Sequence, residues 1–518
     1  MRWLRNPILP GFYPDPSVCR VGEDFYMVTS SFSYFPGVPV FHSRDLVNWE
    51  QIGHCLDRRE QLPLDWQAMS GGVYAPTIRW HDGLFYMVTT NVSHGGNFYV
   101  TAEDPAGPWS EPHYIKGAPG IDPTIFWDED GTAYLTATTD WAEQDPGVWI
   151  GRLDLEKDCI VGERTLVWRG AMVNAWSPEA PHIYKKDGWY YLMIAEGGTE
   201  DYHAVTIARS RVVTGRYEGY PGNPILTHRH LGLDYPICNV GHGDLVQLAD
   251  GLWYMVALAS RLIGGYHKNM GRETFIAPVD FSGEWPVVSP GTGRVEWTYP
   301  APALPECPFA QPDQDDFRAL CWNTLGTPAA DTLTITGGTL TLRSPLDWLV
   351  PDDLPHAAAP NGCPGFYGRR QQHMRFDAQV TLAVPEVGEA GIMLLQNGFN
   401  HLRVGVVRTE SGVTVRAVRS EKCGKPDYLN PREYPRHVDV LWEGAVSGDA
   451  VTVGIRAAGQ EHALTVNGTA VAHADGSFLG SETAGGFIGA YVGCFVSGPG
   501  AQATFRDFTY RGEEAAHA

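Results

Sequence analysis

The chain has 518 residues. Single hydrophobic cores stop growing at about 250 to 300 residues, so the length predicts two domains. A formal net charge of −22, from 38 Lys plus Arg against 60 Asp plus Glu, disfavours binding to a nucleic-acid phosphate backbone. No window reaches the roughly 18 unbroken apolar residues of a membrane span, so neither nucleic acid nor membrane is an expected partner.

The N-terminal stretch MRWLRNPILPG lacks the apolar run of a secretory signal, because Asn6, Pro7 and Pro10 interrupt it. Nine cysteines are scattered from Cys19 to Cys494 without C-x-x-C spacing, which matches neither a disulfide framework nor a zinc site. We therefore expect reduced thiols and a cytoplasmic location.

The first 300 residues contain five copies of one motif, in which an apolar segment leads through an acidic turn into an aromatic strand. The marker tyrosines of the copies, 48 to 63 residues apart, are Tyr26, Tyr86, Tyr134, Tyr191 and Tyr254. Internal repeats of this period outweigh local propensity as a fold signal. The spacing leaves room for about four short strands in each unit, as in a propeller blade.

In most copies an Asp-Gly pair separates two β-rich runs and predicts a tight hairpin. These pairs are Asp82-Gly83, Asp130-Gly131, Asp187-Gly188 and Asp250-Gly251. Helical periodicity is scarce here, and the chain's 59 Gly and 38 Pro suit many turns. The sequence therefore predicts an all-β protein that begins with a five-bladed β-propeller, with a β-sandwich as the structural alternative for this region.

The first strand of every propeller blade lines the central channel, so equivalent positions of different units face one another. Near the starts of these strands stand Asp15, Tyr74, Asp122, Glu179 and His242. Relative to the following proline, Tyr74 and Glu179 lie one place earlier than the two aspartates, and His242 has no such proline. Because a one-residue shift turns a strand side chain to the other face, we expect irregular strand starts.

Three carboxyl groups in one channel indicate a functional site, since like charges and burial both disfavour their ionisation. Taken singly, each aspartate has a structural alternative as a turn opener, and His242 is equally well a core histidine or a ligand. Two or three acids in an aromatic pocket are the equipment for glycoside hydrolysis. The chain has no G-x-S-x-G, H-E-x-x-H or P-loop motif that would indicate another hydrolase class.

Six stretches carry a family resemblance: NPILPGFYPDPSV, SGGVYAPTIRWHDGLFY, GIDPTIFWDEDG, SPEAPHIYKKDGWYYL, GHGDLVQL and GRETFIAPV. They resemble glycoside hydrolase family 43, in its β-xylosidase and α-L-arabinofuranosidase branch. The second half of the chain, with DDFRALCWNTLGTP and FYGRRQQHMRFDAQVTL, is similar to that branch's C-terminal β-sandwich, a concanavalin A-like jelly roll. The resemblance implies a five-bladed propeller and hydrolysis with inversion.

By this resemblance Asp15 in YPDPS would be the general base and Glu179 in PEAPH the general acid. Asp122 in GIDPT would orient the acid and raise its pKa. A second carboxylate near Glu179 favours its protonated form, as a general acid at neutral pH requires. The resemblance implies no required cofactor.

Further positions resemble the family's substrate-binding residues. Arg272 in GRETF resembles its ligand for substrate hydroxyls. The aromatic walls of the first sugar subsite would be Phe32, Tyr74, Tyr491 and Phe495. His242 would lie beneath the pocket as a support, in some members beside a bound structural calcium ion.

The chain departs from the family pattern in three places. Pro178 stands before the acid where relatives carry threonine, and Tyr74 stands where tryptophan is common. The segment TTDWAEQDPGVW, residues 138–149, lacks the His- and Arg-rich pattern expected of xylosidases in this branch. The second sugar subsite therefore stays unassigned at this stage.

The predicted domains are a propeller over residues 1–300, a proline-rich linker over 301–314, a β-sandwich over 315–512 and a frayed tail over 513–518. The sandwich is either a sugar-binding module or, as the resemblance implies, a domain that closes one side of the pocket. The oligomeric state stays open, and a homo-oligomer is one alternative.

The leading hypothesis is an exo-acting, inverting glycosidase that releases terminal β-D-xylose, α-L-arabinofuranose or both from plant hemicellulose oligosaccharides. The rival is a non-catalytic glycan-binding propeller, although a binding protein gains nothing from buried carboxylates. Retaining five-bladed fructan hydrolases are a third alternative, but they carry Arg-Asp-Pro and Glu-Cys. Here Ile121 precedes Asp122, and Ala180 follows Glu179.

Overall fold

The computed structural model describes residues 2–64, 68–139, 146–173, 175–309, 316–344, 364–409, 412–422 and 436–513. The predicted linker at 310–314, the tail at 514–518 and the 138–149 segment at 140–145 lie outside these ranges, as do parts of the predicted propeller and sandwich. Regular structure in the described ranges is almost entirely β, with a 3-10 turn at Ser477–Leu479 and a short helix at Ser481–Ala484. The all-β prediction is confirmed.

Five antiparallel sheets follow one another along the first part of the chain and form the blades of the predicted propeller. Blade 1 comprises Ser17–Val21, Asp24–Val28, Gly37–Ser43 and Glu50–Leu56. Blade 2 comprises Thr77–His81, Leu84–Asn91, Gly96–Ala102 and His113–Tyr114. Blade 3 comprises Thr124–Trp127, Ala133–Thr138, Val148–Asp154 and Cys159–Trp168. Blade 4 comprises Glu179–Lys186, Trp189–Glu196, Ala204–Ser210, Glu218–Gly219 and Leu226–Thr227. Blade 5 comprises Ile237–Gln247, Trp253–Arg261, Glu273–Asp280 and Val287–Val288.

Two of the four Asp-Gly pairs form the predicted two-residue hairpin turns. Both residues of Asp82-Gly83 and of Asp187-Gly188 have positive φ, as a type I′ turn requires. At Asp130-Gly131 and Asp250-Gly251 only the glycine does, because those connections are longer. The repeat therefore predicts which strands pair in each blade, but the turns that join them differ from blade to blade.

The propeller ring is closed by the start of the chain. Strand Trp3–Arg5 pairs with Thr298–Pro300, and Leu9 forms a bridge to Thr274 in blade 5. The Asn6 side chain accepts a hydrogen bond from the Ile276 backbone N–H at 2.9 Å and donates to that residue's carbonyl at 2.8 Å. The N-terminal segment is therefore tied both to blade 5 and to the strand Thr298–Pro300 that follows it.

A layer of polar side chains, one from each blade, fills the central channel. Its members are Ser17, Thr77, Thr124, His182 and Asp244. Arg79 enters this layer and bonds Asp244 with both terminal nitrogens, at 2.8 and 3.1 Å, while Ser17 Oγ donates to the same carboxylate at 2.7 Å. Burial alone would raise the pKa of Asp244, but the Arg79 guanidinium holds it well below its ordinary value. The channel is thus closed by a satisfied ion pair.

The second domain is a β-sandwich of two antiparallel sheets. In spatial order, one sheet consists of Arg436–Ala445, Gly412–Lys422, His401–Thr409, Glu389–Leu395, Tyr491–Ser497, Gly365–Arg370, Trp322–Leu325 and Tyr34–Phe35. The other consists of Leu333–Thr336, Thr339–Ser344, Ala501–Glu513, Arg375–Ala383, Ala450–Ala458, Glu461–Val466 and Thr469–Asp475. Their facing sides supply a core of Val, Leu, Ile and Ala that also contains several Phe and Trp322. The predicted sandwich is confirmed.

One edge of the sandwich is completed by the propeller. Strand Tyr34–Phe35, from the blade 1 loop, pairs with Trp322–Leu325 of the sandwich. Arg370 Nε donates to the Phe12 carbonyl at 2.5 Å, which adds a buried polar bond across the domain contact. The two domains therefore share a sheet as well as a packed surface.

The last strand corrects the predicted tail. The predicted tail begins at Glu513, but this residue pairs with Arg375 as the end of strand Ala501–Glu513. The described part of the chain has no helix of the length and apolarity needed to cross a membrane.

Candidate active site

A pocket of about 440 Å³ opens where the inner strands of the blades begin. The structure brings seven predicted site residues together in its lining: Asp15, Phe32, Tyr74, Asp122, Glu179, His242 and Arg272. The remaining two, Tyr491 and Phe495, are not among the residues that line it. Residues more than 250 positions apart thus meet in one cavity, as the repeat predicts.

The strand starts are irregular, as expected, and their backbone explains the offset between the acids. Asp15, Asp122, Ala180 and His242 all have left-handed backbone, with φ of 55°, 56°, 53° and 47°. The equivalent residue of blade 4 is therefore Ala180, and Glu179 precedes it by one. The pairing register shifts just after Glu179 and again around His242, which absorbs the difference. Four strained residues of this kind around one pocket are typical of a functional site.

Asp15 is buried and held as a carboxylate from both of its oxygens. Arg272 Nη1 donates to Oδ1 at 2.7 Å, and Ser30 Oγ donates to Oδ2 at 2.6 Å. Burial alone would raise the pKa of Asp15, but the Arg272 cation and the Ser30 hydrogen bond bring it below its ordinary value. Asp15 is therefore ionised at neutral pH and suited to accept a proton.

Glu179 and Asp122 have the opposite electrostatic environment. Burial and the negative charge of Asp15 raise the pKa of Glu179 to about 7. Burial and the charges of Glu179 and Asp15 raise the pKa of Asp122 well above its ordinary value, although it accepts a hydrogen bond from the Ala180 N–H. The raised pKa values therefore favour a proton on this pair of carboxyls at neutral pH.

Aromatic rings form the wall beside the acids. The Phe32 and Tyr74 ring centroids lie 5.2 Å apart, and Phe487 lies 6.3 Å from each. Burial, with the nearby Asp122 charge, raises the pKa of Tyr74 to about 12, so its hydroxyl stays a hydrogen-bond donor. Arg272 lies 5.5 Å above the Phe32 ring. The pocket therefore combines an apolar wall with converging polar groups, as sugar sites do.

The contribution of the sandwich corrects the sequence prediction. Tyr491 and Phe495 are fully buried in the core between the domains, where Tyr491 stacks on Tyr34 at 3.8 Å. Their strand, Tyr491–Ser497, is buried on both faces and cannot present a side chain to the pocket. Phe487, in the turn before that strand, lines the pocket instead, and its carbonyl accepts a hydrogen bond from Arg272 Nη2 at 3.1 Å.

His242 lies beside Asp15, with 3.7 Å between its Nδ1 and Asp15 Oδ1, and burial lowers its pKa, so it is neutral. Calcium takes roughly six to eight oxygen ligands. The nearby carboxylates of Asp15 and Asp244 are already bonded to Arg272 and Arg79. The described ranges contain no group of three or more His, Cys, Asp or Glu side chains suited to a metal. The described residues around His242 therefore do not fit a calcium site, and no step below uses one.

Sequence reasoning missed the rim of the pocket. Trp176, three residues before Glu179, lines it, as does the turn 197–203 between two strands of blade 4. Thr199 in this turn accepts a hydrogen bond from Arg272 Nη1 at 3.0 Å. The signal available in the sequence was the tryptophan in NAWSPEA, close to the predicted acid Glu179.

Two family models match the chain. The model described as glycosyl hydrolases family 43 matches residues 4–286. The model described as the beta xylosidase C-terminal concanavalin A-like domain matches residues 314–511. Together they cover the propeller and the sandwich.

Individual relatives agree with these matches. A xylosidase/arabinosidase from Butyrivibrio fibrisolvens is 46% identical over 426 residues, which cover 78% of this chain and 80% of the relative. A non-reducing end alpha-L-arabinofuranosidase from Bacteroides ovatus is 38% identical, with 96% and 92% covered. The crystal structure of a xylan beta-1,4-xylosidase from Bacillus halodurans is 31% identical with a TM-score of 0.87, covering 98% of this chain and 100% of the other. The chain belongs to glycoside hydrolase family 43.

Proposed function

We propose that this glycosidase is exo-acting and inverting, and that it releases terminal β-D-xylopyranose, α-L-arabinofuranose or both from hemicellulose oligosaccharides. The observation that carries the proposal is the division of charge in the pocket. Asp15 is kept ionised by Arg272, while burial and Asp15 raise the pKa of Glu179 to about 7. Hydrolysis of a glycosidic bond needs a carboxylate and a carboxylic acid that face one sugar, and in the single-displacement form proposed here the carboxylate acts as a base on water.

In the proposed reaction Asp15 takes a proton from a water molecule, which attacks the anomeric carbon of the terminal sugar. The bond from that carbon to the leaving oxygen breaks, and Glu179 donates its proton to that oxygen. Asp122, fixed by the hydrogen bond from the Ala180 N–H, lies near enough to Glu179 for their charges to interact, and it positions the acid. Asp15 ends protonated and Glu179 ionised, and exchange with solvent restores both.

Exo action is supported by the closed floor of the pocket. The Arg79–Asp244 ion pair and the polar layer around it fill the channel beneath the acids. Phe32, Tyr74 and Phe487 close one side. A blind pocket of about 440 Å³ accommodates the end of a chain and not its middle.

The pentose preference is supported by the relatives, which include a xylosidase/arabinosidase and an alpha-L-arabinofuranosidase. We expect measurable hydrolysis of both 4-nitrophenyl β-D-xylopyranoside and 4-nitrophenyl α-L-arabinofuranoside, and little of the β-D-glucopyranoside. The reason is steric: we expect the pocket wall to lie too close to the terminal sugar to admit the additional hydroxymethyl group of a hexose. Initial rates on the three substrates, at one enzyme concentration, measure this directly.

The same enzyme preparation tests the other parts of the proposal. Proton NMR during early turnover should show the inverted anomer as the first product, and a retained anomer would contradict inversion. A fast fall in the viscosity of long xylan would contradict exo action. Binding of xylo-oligosaccharides without any hydrolysis would favour the non-catalytic glycan-binding alternative.

The pH profile should have its basic limb near neutrality. Glu179 must be protonated to act, and its pKa is raised to about 7, so kcat/KM should fall as the pH rises through about 7. Asp15 must be ionised, and its pKa is lowered, so the acid limb should lie below the ordinary aspartate pKa of about 3.9. Measurement of kcat/KM across the stable pH range reports these groups in the free enzyme.

A second buried acid provides the control for this profile. Burial also raises the pKa of Glu196 to about 7, but its Oε1 accepts the Ala171 N–H at 2.5 Å and it does not line the pocket. Glu196→Gln keeps this acceptor and should keep the basic limb. Loss of the limb in Glu196→Gln, with the limb retained in a Glu179 variant, would show that the wrong acid was chosen.

A further inference from the structure

Two large aromatic side chains are exposed at the mouth of the pocket. Trp176 and Tyr202 are 54% and 61% exposed, yet both belong to the pocket lining. Their ring centroids lie 5.6 Å apart with planes at 65°. An edge-to-face pair of this kind leaves a ring face open. Apolar surface left in water at a binding pocket indicates a ligand that covers it.

The backbone around the pair is built to hold the rings where they are. The Gly197 N–H donates to the Trp176 carbonyl at 2.8 Å and ties the two rim segments together. At Gly198, which has φ of +71°, an added Cβ would come within 2.6 Å of Trp176 Nε1. The absence of a side chain there lets the indole lie directly against the turn. The open rings are therefore a fixed feature of the rim.

The position of the pair relative to the general acid defines which sugar it faces. Trp176 lies three residues before Glu179, and the left-handed residue Ser177, with φ of 53°, lies between them together with Pro178. A general acid gives its proton to the leaving oxygen, so the leaving sugar lies on the acid's side of the scissile bond. The terminal sugar occupies the closed end of the pocket. The next ring outward then lies at the rim beside Glu179.

We propose that Trp176 and Tyr202 form the binding platform for the sugar ring on the leaving-group side of the scissile bond. This inference rests on the proposed glycosidase function and deepens it by naming the residues that select the leaving group. The apolar C–H face of a sugar ring packs on an open aromatic face, while the ring hydroxyls stay in contact with water. The platform favours a sugar over a small alcohol as the leaving group.

The test compares two leaving groups of similar acidity, only one of which has a ring. Xylobiose releases a sugar, whereas 2,2,2-trifluoroethyl β-D-xylopyranoside releases a small alcohol about as acidic as a sugar hydroxyl. Both need the proton of Glu179. In Trp176→Ala and in Tyr202→Ala, the ratio of kcat/KM for xylobiose to that for the trifluoroethyl glycoside should fall about tenfold or more. Arabinofuranosides replace both substrates if the enzyme prefers that pentose.

The matched control is Trp3→Ala, since Trp3 is also 54% exposed but does not line the pocket. It should leave the ratio unchanged. If Trp176→Ala lowers both activities equally, the side chain only supports Glu179, and the platform is refuted for that residue. Tyr202→Ala is the independent variant if Trp176→Ala does not fold. If the wild type hydrolyses neither substrate, the proposed function fails; if it hydrolyses both and no variant moves the ratio, only the platform fails.

Discussion

Asp15→Asn should abolish hydrolysis of every pentoside, whatever its leaving group. The substitution removes the group assigned to accept the proton of the attacking water, and a good leaving group cannot replace the missing activation of that water. The expected loss is about 10²- to 10⁴-fold in kcat, the range for one proton-transfer group. The asparagine is nearly isosteric and tolerates the left-handed φ of 55° found at this position. The loss is therefore attributable to chemistry and not to backbone strain.

The control for this variant is Asp82→Asn. Asp82 also has left-handed backbone, with φ of 47°, but its side chain is 92% exposed in a turn of blade 2. The chemical change and the backbone requirement are the same, so activity should be unchanged. If Asp15→Asn kept a kcat close to the wild-type value on both the aryl and the natural substrates, Asp15 would be excluded as the base. Thermal unfolding of both variants checks that the fold is retained.

The three acids were predictable from the sequence because the repeat makes distant positions equivalent. Asp15 and Asp122 each precede a proline, and the left-handed residue falls on them in the structure. Glu179 was found although its equivalent residue is Ala180. The sequence does not reveal the shift in strand register that brings Glu179 to the same pocket as the two aspartates. That shift depends on how the strand of Glu179 pairs with the next strand of blade 4.

The polar layer of the channel was also within reach of the repeat but was not identified. The layer members stand two positions after Asp15, Asp122 and His242, and three positions after Tyr74 and Glu179, which carry the one-residue offset. Their chemical diversity conceals the equivalence, since Thr, Ser, His and Asp share only polarity. Arg79 stabilises the layer by pairing with Asp244, because a buried carboxylate requires a cation. That pairing is a tertiary contact between blades 2 and 5.

The contribution of the sandwich was predicted at the wrong residues for an identifiable reason. Tyr491 and Phe495 belong to the run YVGCFV, and a continuous apolar run is typical of a strand buried on both faces. Phe487 follows Gly485 and Gly486, which both have positive φ and form a turn. An aromatic residue after such a turn can point out of the fold, whereas one within the strand packs inside it. The resemblance identified the domain, but strand periodicity was the better guide to the residue.

Glu179→Ala should separate substrates by their leaving groups. On pentose disaccharides kcat/KM should fall about 10²- to 10⁴-fold, because a sugar alkoxide leaves poorly without a proton. On dinitrophenyl pentosides the fall should stay below about tenfold, because that phenolate is stable unprotonated. The basic limb near pH 7 should disappear as well, since the group whose pKa is raised to about 7 is gone.

The comparison with Asp15→Asn makes this assignment falsifiable. A base variant loses activity on both kinds of substrate, whereas an acid variant loses it mainly on the disaccharide, because only the acid acts on the leaving oxygen. Steady-state kcat/KM for both variants on xylobiose and on a dinitrophenyl xyloside measures the difference. If the two variants had the same dependence on the leaving group, the roles of Asp15 and Glu179 would be wrong. The division of charge set by Arg272 would then need another explanation.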